Sequence, residues 1–560
     1  MEILTNSIFL FILCINVFLF ALAYSSKQVF PGIFIFSKKI LQIFRRIICL
    51  FYVIFFIVSF FPYYINEIFY YIFFLIFFLI GFTNLFLFIN FHSYLNYSFL
   101  ETAFLTNKKE AREFLKSYLN FKSVFLLILF VVISLVFLFF FEPINYNINN
   151  INGINIAIFL LCFSLLVQKP HKYFKNDFIL YDWIVLFKTF IINSNEYAQQ
   201  LKFLEQNLSN QKDEYNISLL KNYNIPKIII IVGESTQRNY MSLYGYPLDT
   251  TPKLRQHQLD GNLYVFNDII SPHSHTNTSI AKIFTFSNYE NEEIHWYKQK
   301  NIIDIMKRVG YYTYWISNQE SISSFGNAPE AIARRADYTI FLDRMFTGNS
   351  IAKDEILVDE LHKITNKKEK ELYILHLLGT HMDYSQRYPH KKFKYFTVED
   401  LKKYNLNFFK NGEQLNNKQI LLKMHYLNAI LYNDHVVSKI FNYFKDENAI
   451  IFYFSDHGEE IYDFRNFFGH AETMASRYMV EIPFMIYLSN KFKNTYPSII
   501  QKISSSTSKP FMTDDFIHAF LDLLGIDIDE FQKQRSIFND AYNNNRVRFF
   551  ANQDYDKYFK

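Results

Sequence analysis

The chain has 560 residues, several times the ~150 of a single domain, so one small module is excluded. Aromatic residues make up 20% and charged residues 19%, while Gly and Pro number only 14 and 13, which excludes disordered, collagenous and low-complexity classes. Lys plus Arg exceed Asp plus Glu by 57 to 52, a surplus of +5 that offers no electrostatic case for a nucleic-acid partner.

From the N-terminus, four uncharged or nearly uncharged stretches are long enough to cross ~30 Å of hydrocarbon. They are Ile3 to Ser26, Ile47 to Asn66, Ile68 to Asn90 and Ser123 to Phe141. A fifth, Ile154 to Val167, is shorter and is counted as a span, although by itself it also fits a buried core helix. Ala21-Leu22-Ala23 resembles a signal-peptide cleavage site, but no Lys or Arg precedes the apolar run and further apolar runs follow, so the first stretch is read as a span. Cys14, Cys49 and Cys162 all lie in this region, which leaves the rest of the chain without a disulfide or a thiolate metal ligand.

Loop charge admits two readings of the topology. Lys27, Lys38, Lys39, Arg45 and Arg46 follow the first stretch, and Lys108, Lys109, Arg112, Lys116 and Lys122 lie between the third and fourth. Taken literally, the positive-inside rule places these loops, and with five spans the C-terminal domain, in the cytoplasm. The competing reading makes 27–46 and 91–121 amphipathic segments at the interface, whose cations snorkel to headgroups.

Asp177 to Ile191, with Tyr181 and Trp183 in an apolar setting, predicts an interfacial helix, and a polar linker follows. The expected domains are therefore a transmembrane domain over 1–168, an interfacial helix and linker over 169–222, and a folded C-terminal domain over 223–560. In the last of these, short apolar runs at Lys227 to Val232, Tyr311 to Ile316, Leu372 to Leu378 and Ala449 to Phe454 alternate with amphipathic stretches such as Asn428 to Phe444. That alternation predicts an α/β domain with a largely parallel, buried central sheet.

Polar residues gather where these strands end. Lys227 to Val232 runs into Gly233-Glu234-Ser235-Thr236, and Ala449 to Phe454 runs into Ser455-Asp456-His457-Gly458-Glu459-Glu460. In open α/β sheets ligands bind at the carboxyl ends of the strands, so the two clusters should meet in one crevice as oxygen and nitrogen ligands for zinc. His381, after Leu-Leu-Gly-Thr, and His470, after Gly469, should join the same rim. Each has a plainer explanation, since an acidic residue after a strand is most often the N-cap of the next helix. Asp434-His435 serves as an internal comparison: the same dipeptide lies inside an amphipathic helical pattern and is expected on a solvated face. Finally, Ser271-Pro272-His273-Ser274-His275-Thr276-Asn277-Thr278-Ser279 leads into the helical pattern Ile280 to Phe286, which puts a hydroxyl near a helix N-terminus, where an anionic oxygen or phosphate is favoured. By itself that segment reads equally well as an ordinary N-cap.

Together VGESTQRNYMSLYGYPLDTTPKL (232–254), TNTSIAKIFTFSNYEN (276–291), WISNQ (315–319), HLLGTHMDYSQRYP (376–389), LYNDHVV (431–437) and FSDHGEEIYD (454–463) closely resemble the phosphoethanolamine transferases of the alkaline-phosphatase and sulfatase superfamily. The wording is most similar to the branch that modifies lipopolysaccharide core sugars. The resemblance implies a bundle of five transmembrane helices ahead of a sulfatase-like domain, in the bacterial inner membrane with that domain in the periplasm. It implies zinc, one ion or two, held by Glu234, Thr276, Asp456 and His457, with Thr276 as nucleophile; an ungapped reading from Gly-Glu-Ser to the TFSNYEN segment selects Thr276 over Thr278. It also implies contacts to the transferred group from His381, His470, Asn318 and Gln319, with the two histidines as general acid or base. The implied donor is phosphatidylethanolamine, and the acceptor lipopolysaccharide core, lipid A or a surface protein, with the enzyme a membrane-bound monomer. Two departures stand out: the lipid A branch has disulfides in its soluble domain and this chain has none, and the loop around Thr276 carries extra hydroxyls and histidines. The rival readings are a glycerophosphotransferase of the lipoteichoic acid synthase type, disfavoured by GESTQR and SDHGEE, and a sulfatase, for which a Cys/Ser-x-Pro-x-Arg pattern is lacking. A non-catalytic membrane-anchored binding protein is disfavoured by the complete ligand set.

Overall fold

A computed structural model describes residues 7–26, 33–58, 60–91, 93–96, 99–100, 103–104, 111–112, 114–115, 118–119, 121–141, 153–167, 179–192, 215–220, 223–319, 328–342, 352–390, 393 and 396–560. The chain forms two compact units, Met1–Glu196 and Tyr197–Lys560.

The first unit contains α1 (Ser7–Ser26), α2 (Ile33–Val58), α3 (Tyr63–Phe91), α4 (Phe121–Phe139) and α5 (Gly153–Val167), with a further helix over 179–192. Among the described residues, Glu67–Phe91 and Phe121–Phe139 are long and apolar enough to cross a membrane, whereas the apolar stretches Ser7–Leu19 and Gly153–Ser164 are shorter. Of the five spans expected, two thus have spanning length and composition among the described residues. Two boundaries differ from the sequence reading. Helix α2 starts at Ile33 and not near Ile47, so Lys38, Lys39, Arg45 and Arg46 belong to a helix and not to a loop. The break between α2 and α3 falls at Pro62 and not at Asn66, because proline has no N–H to give a helix interior and disfavours helical backbone in the residue before it. Ile8 and Phe11 of α1, Ile47 and Phe51 of α2, and Phe74 and Phe77 of α3 share one apolar cluster. Asn16 and Asn84 donate to the carbonyls of Ile12 and Ile80 one turn back at 2.8 Å, so the amide groups in these apolar helices find partners in their own backbone.

The second unit is built on a seven-stranded sheet, with β1 (Lys227–Gly233), β2 (Leu263–Phe266), β3 (Tyr312–Ser317), β4 (Tyr338–Phe341), β5 (Glu371–His376), β6 (Ala449–Ser455) and β7 (Phe484–Leu488) in the order β2-β7-β6-β1-β5-β3-β4. Strands β1, β3, β4, β5 and β6 pair in parallel, while β7 runs antiparallel to both neighbours, so the sheet is mixed where the sequence suggested a largely parallel one. Every residue of β1, β5 and β6 is buried, which explains why these strands read as continuous apolar runs with no alternation. The registers Gly233 with Ser455, Val232 with His376 and Ser317 with His376 bring the carboxyl ends of four adjacent strands to one level. The helices α6 (Pro252–Leu259), α7 (Thr276–Ile283), α8 (Asn417–Phe444) and α9 (Phe516–Leu524) belong to this unit. Ile280 and Ile283 of α7 and Phe516 and Phe520 of α9 pack into the same core as Ile228, Ile230 and Val232 of β1.

Two readings of the sequence are corrected here. Ile217–Leu219, within the stretch 169–222 expected as interfacial helix and linker, is a strand paired antiparallel with Ile526–Ile528, so the chain joins the second unit before Tyr223; residues 193–214 lie outside the described residues. Asp434 does lie on a helix, α8, but it is 1% exposed and not on a solvated face. Its carboxylate accepts the backbone N–H groups of Lys253 (3.2 Å) and Leu254 (2.8 Å) and so caps α6 from a distance, a tertiary contact that periodicity cannot disclose.

Candidate active site

Glu234 follows β1 directly, and the chain turns there through Ser235, which has a left-handed φ of 56° although it is not glycine. Such a backbone persists only where its surroundings hold it. Ser235 donates its N–H to Asp456 Oδ1 (3.3 Å) and its hydroxyl to Glu234 Oε1 (2.8 Å), and its carbonyl accepts from Tyr426 (2.8 Å). The turn that presents Glu234 is therefore tied to Asp456, just past β6, and to α8.

Glu234, Asp456 and His457 are buried, and their ligand atoms lie within 4.8 Å of one another. His457 Nε2 is 3.2 Å from Glu234 Oε1 and 3.6 Å from Asp456 Oδ2. The other ring nitrogen, Nδ1, lies 2.8 Å from the Gly458 carbonyl; a carbonyl only accepts, so Nδ1 donates its N–H there and the ring is held with Nε2 facing the carboxylates. Gly458 is required by the close approach of chain segments, since a Cβ there would overlap the Tyr478 carbonyl oxygen, and its N–H donates to Met479 O at 2.8 Å. Thr276 is the first residue of α7; its hydroxyl donates to Glu234 Oε2 (3.1 Å) and lies 3.4 Å from His457 Nε2. Gln319, just past β3, donates Nε2 to the same Glu234 oxygen at 3.0 Å.

The electrostatics of this group are those of a cation site. Burial alone would raise Glu234, but the adjacent His457 holds it well below the usual carboxylate range. Burial and the charge of Glu234 push Asp456 up, and Asp456 and Glu234 outweigh burial to raise His457. Two carboxylates and an imidazole thus share protons in a buried place, where separated charge is poorly stabilised. Asp456 Oδ2 is buried without a hydrogen-bond partner, the state of a carboxylate oxygen with room for a metal cation. Oxygen and imidazole donors without thiolate suit a divalent metal of the zinc type.

His470 stands next to this group, its ring 4.3 Å from that of His457, and Nδ1 lies 2.8 Å from Glu459 Oε2. Glu459 lay unassigned within the SDHGEE segment; it is fully buried, also accepts the Tyr384 hydroxyl at 2.7 Å, and with His457 and His470 forms a second cluster of possible metal ligands. His381 follows β5 close enough to feel Glu234, and burial pushes its imidazole down to about 4. Asn318 stands apart from the others: its amide donates to Asp354 Oδ1 (2.8 Å) and Ala352 O (3.3 Å), and no bond links it to Glu234. Hence Glu234, Thr276, Gln319, Asp456 and His457 converge, His470 and His381 border them, and Asn318 faces another way.

The sulfatase family model matches residues 226–526, more than half of the chain. Phosphoethanolamine transferase EptC of Escherichia coli O18:K1:H7 is 29% identical over 489 residues, covering 80% of this chain and 78% of that protein. Among solved structures, the C-terminal periplasmic domain of EptC from Escherichia coli in complex with Zn is 31% identical, with a TM-score of 0.54, covering 61% of this chain and 96% of that one. The integral membrane protein lipooligosaccharide phosphoethanolamine transferase A of Neisseria meningitidis shares the fold over 95% of this chain and 97% of that one, with a TM-score of 0.64 at 18% identity. The chain belongs to the sulfatase family and, within it, to the phosphoethanolamine transferases.

Proposed function

We propose that the enzyme moves phosphoethanolamine from phosphatidylethanolamine to a cell-envelope acceptor, lipopolysaccharide core or lipid A or a surface protein, through a phosphoethanolamine-threonine intermediate on Thr276. The observation that carries this reading is the Thr276 hydroxyl at the N-terminus of α7, hydrogen-bonded to Glu234 inside the buried Glu234–Asp456–His457 group. Glu234, Asp456, His457 and Thr276 would hold zinc, which when bound supplies a Lewis acid that lowers the pKa of a hydroxyl and offsets phosphoryl charge. Thr276 Oγ1 bonds to phosphorus as the bond from phosphorus to the diacylglycerol oxygen breaks. The threonine proton passes to a nearby base, and diacylglycerol leaves after taking a proton. In the second half the acceptor oxygen attacks the same phosphorus and Thr276 is released. His381 and His470 are the candidate acid and base: burial keeps His381 neutral at physiological pH, and the Glu459 bond fixes the ring of His470. Gln319 holds Glu234 in register with Thr276.

The same reading makes the enzyme a multi-pass inner-membrane protein, active as a monomer, with its catalytic unit in the periplasm and a membrane lipid as donor. It is tested with the purified full chain and fluorescent phosphatidylethanolamine. Zinc-dependent release of diacylglycerol is expected, and a zinc-loaded chain that releases none would overturn the donor.

A further inference from the structure

Asp354 lies immediately before the helix Glu355–Lys363, at the position where a carboxylate ordinarily accepts an N–H of the helix's own first turn, yet it makes no such bond. Its side chain is buried and turned the other way. Oδ1 accepts the N–H of Leu378 at 2.9 Å and Oδ2 the N–H of Gly379 at 2.8 Å, while the Asn318 amide donates to Oδ1 at 2.8 Å. The turn gripped in this way rests on Glu234. Gly379 has φ +52°, and a Cβ there would meet both the N and the O of Glu234 at 2.8 Å, so only glycine permits the contact. Thr380 donates its N–H and its hydroxyl to the Glu234 carbonyl, each at 3.0 Å. Leu377 donates to Val232 O at 2.9 Å and accepts from Gln319 at 2.9 Å. The turn ends at His381.

We propose that Asp354 is a positioning residue: its carboxylate, oriented by Asn318, clamps the turn 377–381 onto the Glu234 backbone and so sets where Glu234 and His381 stand. This rests on the reading of Glu234 as a zinc ligand and of His381 as a contact to the transferred group. It gives Asn318 the task of orienting Asp354, in place of the substrate contact its neighbourhood in the sequence suggested. A carboxylate suits the task because it accepts from both backbone N–H groups and from the amide at once, and charge-assisted bonds are the stronger kind.

The test uses the full-length chain in detergent with D354N and, as a milder change that keeps shape, T380V. An asparagine at 354 accepts through one oxygen only, so one of the two N–H groups must face an NH2. For D354N, the zinc dissociation constant should rise about 10- to 100-fold, as for other residues that orient metal ligands. Amide exchange in 377–381 should speed up at least about tenfold while that of β1 stays as in wild type. Turnover of phosphatidylethanolamine should fall in kcat with KM unchanged, and T380V should shift the same readouts less. A folded D354N chain with wild-type zinc affinity and wild-type exchange in the turn would overturn the role. So would N318A if it raised KM and left that exchange unaltered. Should D354N fail to fold, T380V decides by the same measurements. The exchange and zinc arms need no transfer, so a wild-type chain that does not use phosphatidylethanolamine overturns the proposed reaction and not the role of Asp354.

Discussion

Thr276 combines a helix N-terminus, where an anionic oxygen is favoured, with hydrogen-bond contact to a buried carboxylate and imidazole. Because His275 and not Thr276 occupies the cap position, removing the hydroxyl should cost about 1 kcal/mol of stability or less. Thr276→Ala is therefore expected to leave the melting temperature nearly unchanged and to abolish transfer, and Thr276→Ser to retain part of it, because the oxygen remains and only the methyl that restricts its rotamer is lost. Peptide mass spectrometry after incubation with phosphatidylethanolamine should find the added phosphoethanolamine on Thr276. An adduct on Ser274, Thr278 or Ser279, with Thr276→Ala still active, would shift the register of the nucleophile. At the neighbouring ligands, replacing Asp456 and His457 together should reduce bound zinc in elemental analysis to background. Zinc content equal to that of wild type would refute the ligand assignment.

At the scale of elements, the buried strands were legible because β1, β5 and β6 are apolar at nearly every position, and their sharp ends at Glu234 and Asp456 marked the site. Gln319 could be named from the short segment WISNQ. What the sequence hid are contacts set by the third dimension. Asp354 lies 120 residues beyond Glu234 in a stretch with no distinguishing pattern, and its partners Leu378 and Gly379 offer only backbone. Asp434 was misread for the same reason, since helical period reports a face but not what packs on it. Its burial has a measurable consequence. Burial pushes the Asp434 carboxyl up to about 7, against the two backbone N–H groups that favour the charged form. An unfolded carboxyl titrates near 3.8, so between those values the native state keeps a proton that the unfolded chain has lost, and raising pH through that window removes stability. Asp434→Asn should flatten this slope between about pH 4 and pH 7 in thermal unfolding of the full chain; a slope unchanged by the substitution would show that Asp434 is not its source.

For the whole molecule, the basic residues of α2 bear on the side of the membrane that the catalytic unit faces. The loop count treated Lys38, Lys39, Arg45 and Arg46 as a cytoplasmic loop, whereas all four lie on one 26-residue helix. Beyond Arg46 that helix continues only to Val58, about 18 Å at 1.5 Å per residue, which is too short to cross ~30 Å of hydrocarbon unaided. Arg46 is moreover 7% exposed, so it is packed within the first unit instead of lying free in a loop. These cations are part of the helical fold, and their weight as topology signals falls accordingly. The remaining argument is chemical: envelope acceptors of the lipopolysaccharide type lie outside the cytoplasm, and an enzyme that modifies them must meet them there. A fusion of alkaline phosphatase after Lys560 is therefore expected to be active, since that reporter folds only outside the cytoplasm, and a cytoplasmic reporter at the same position is expected to be silent. The opposite pair of results at equal expression would place the catalytic unit inside, restore the charge rule, and confine the acceptor to molecules exposed on the cytoplasmic leaflet.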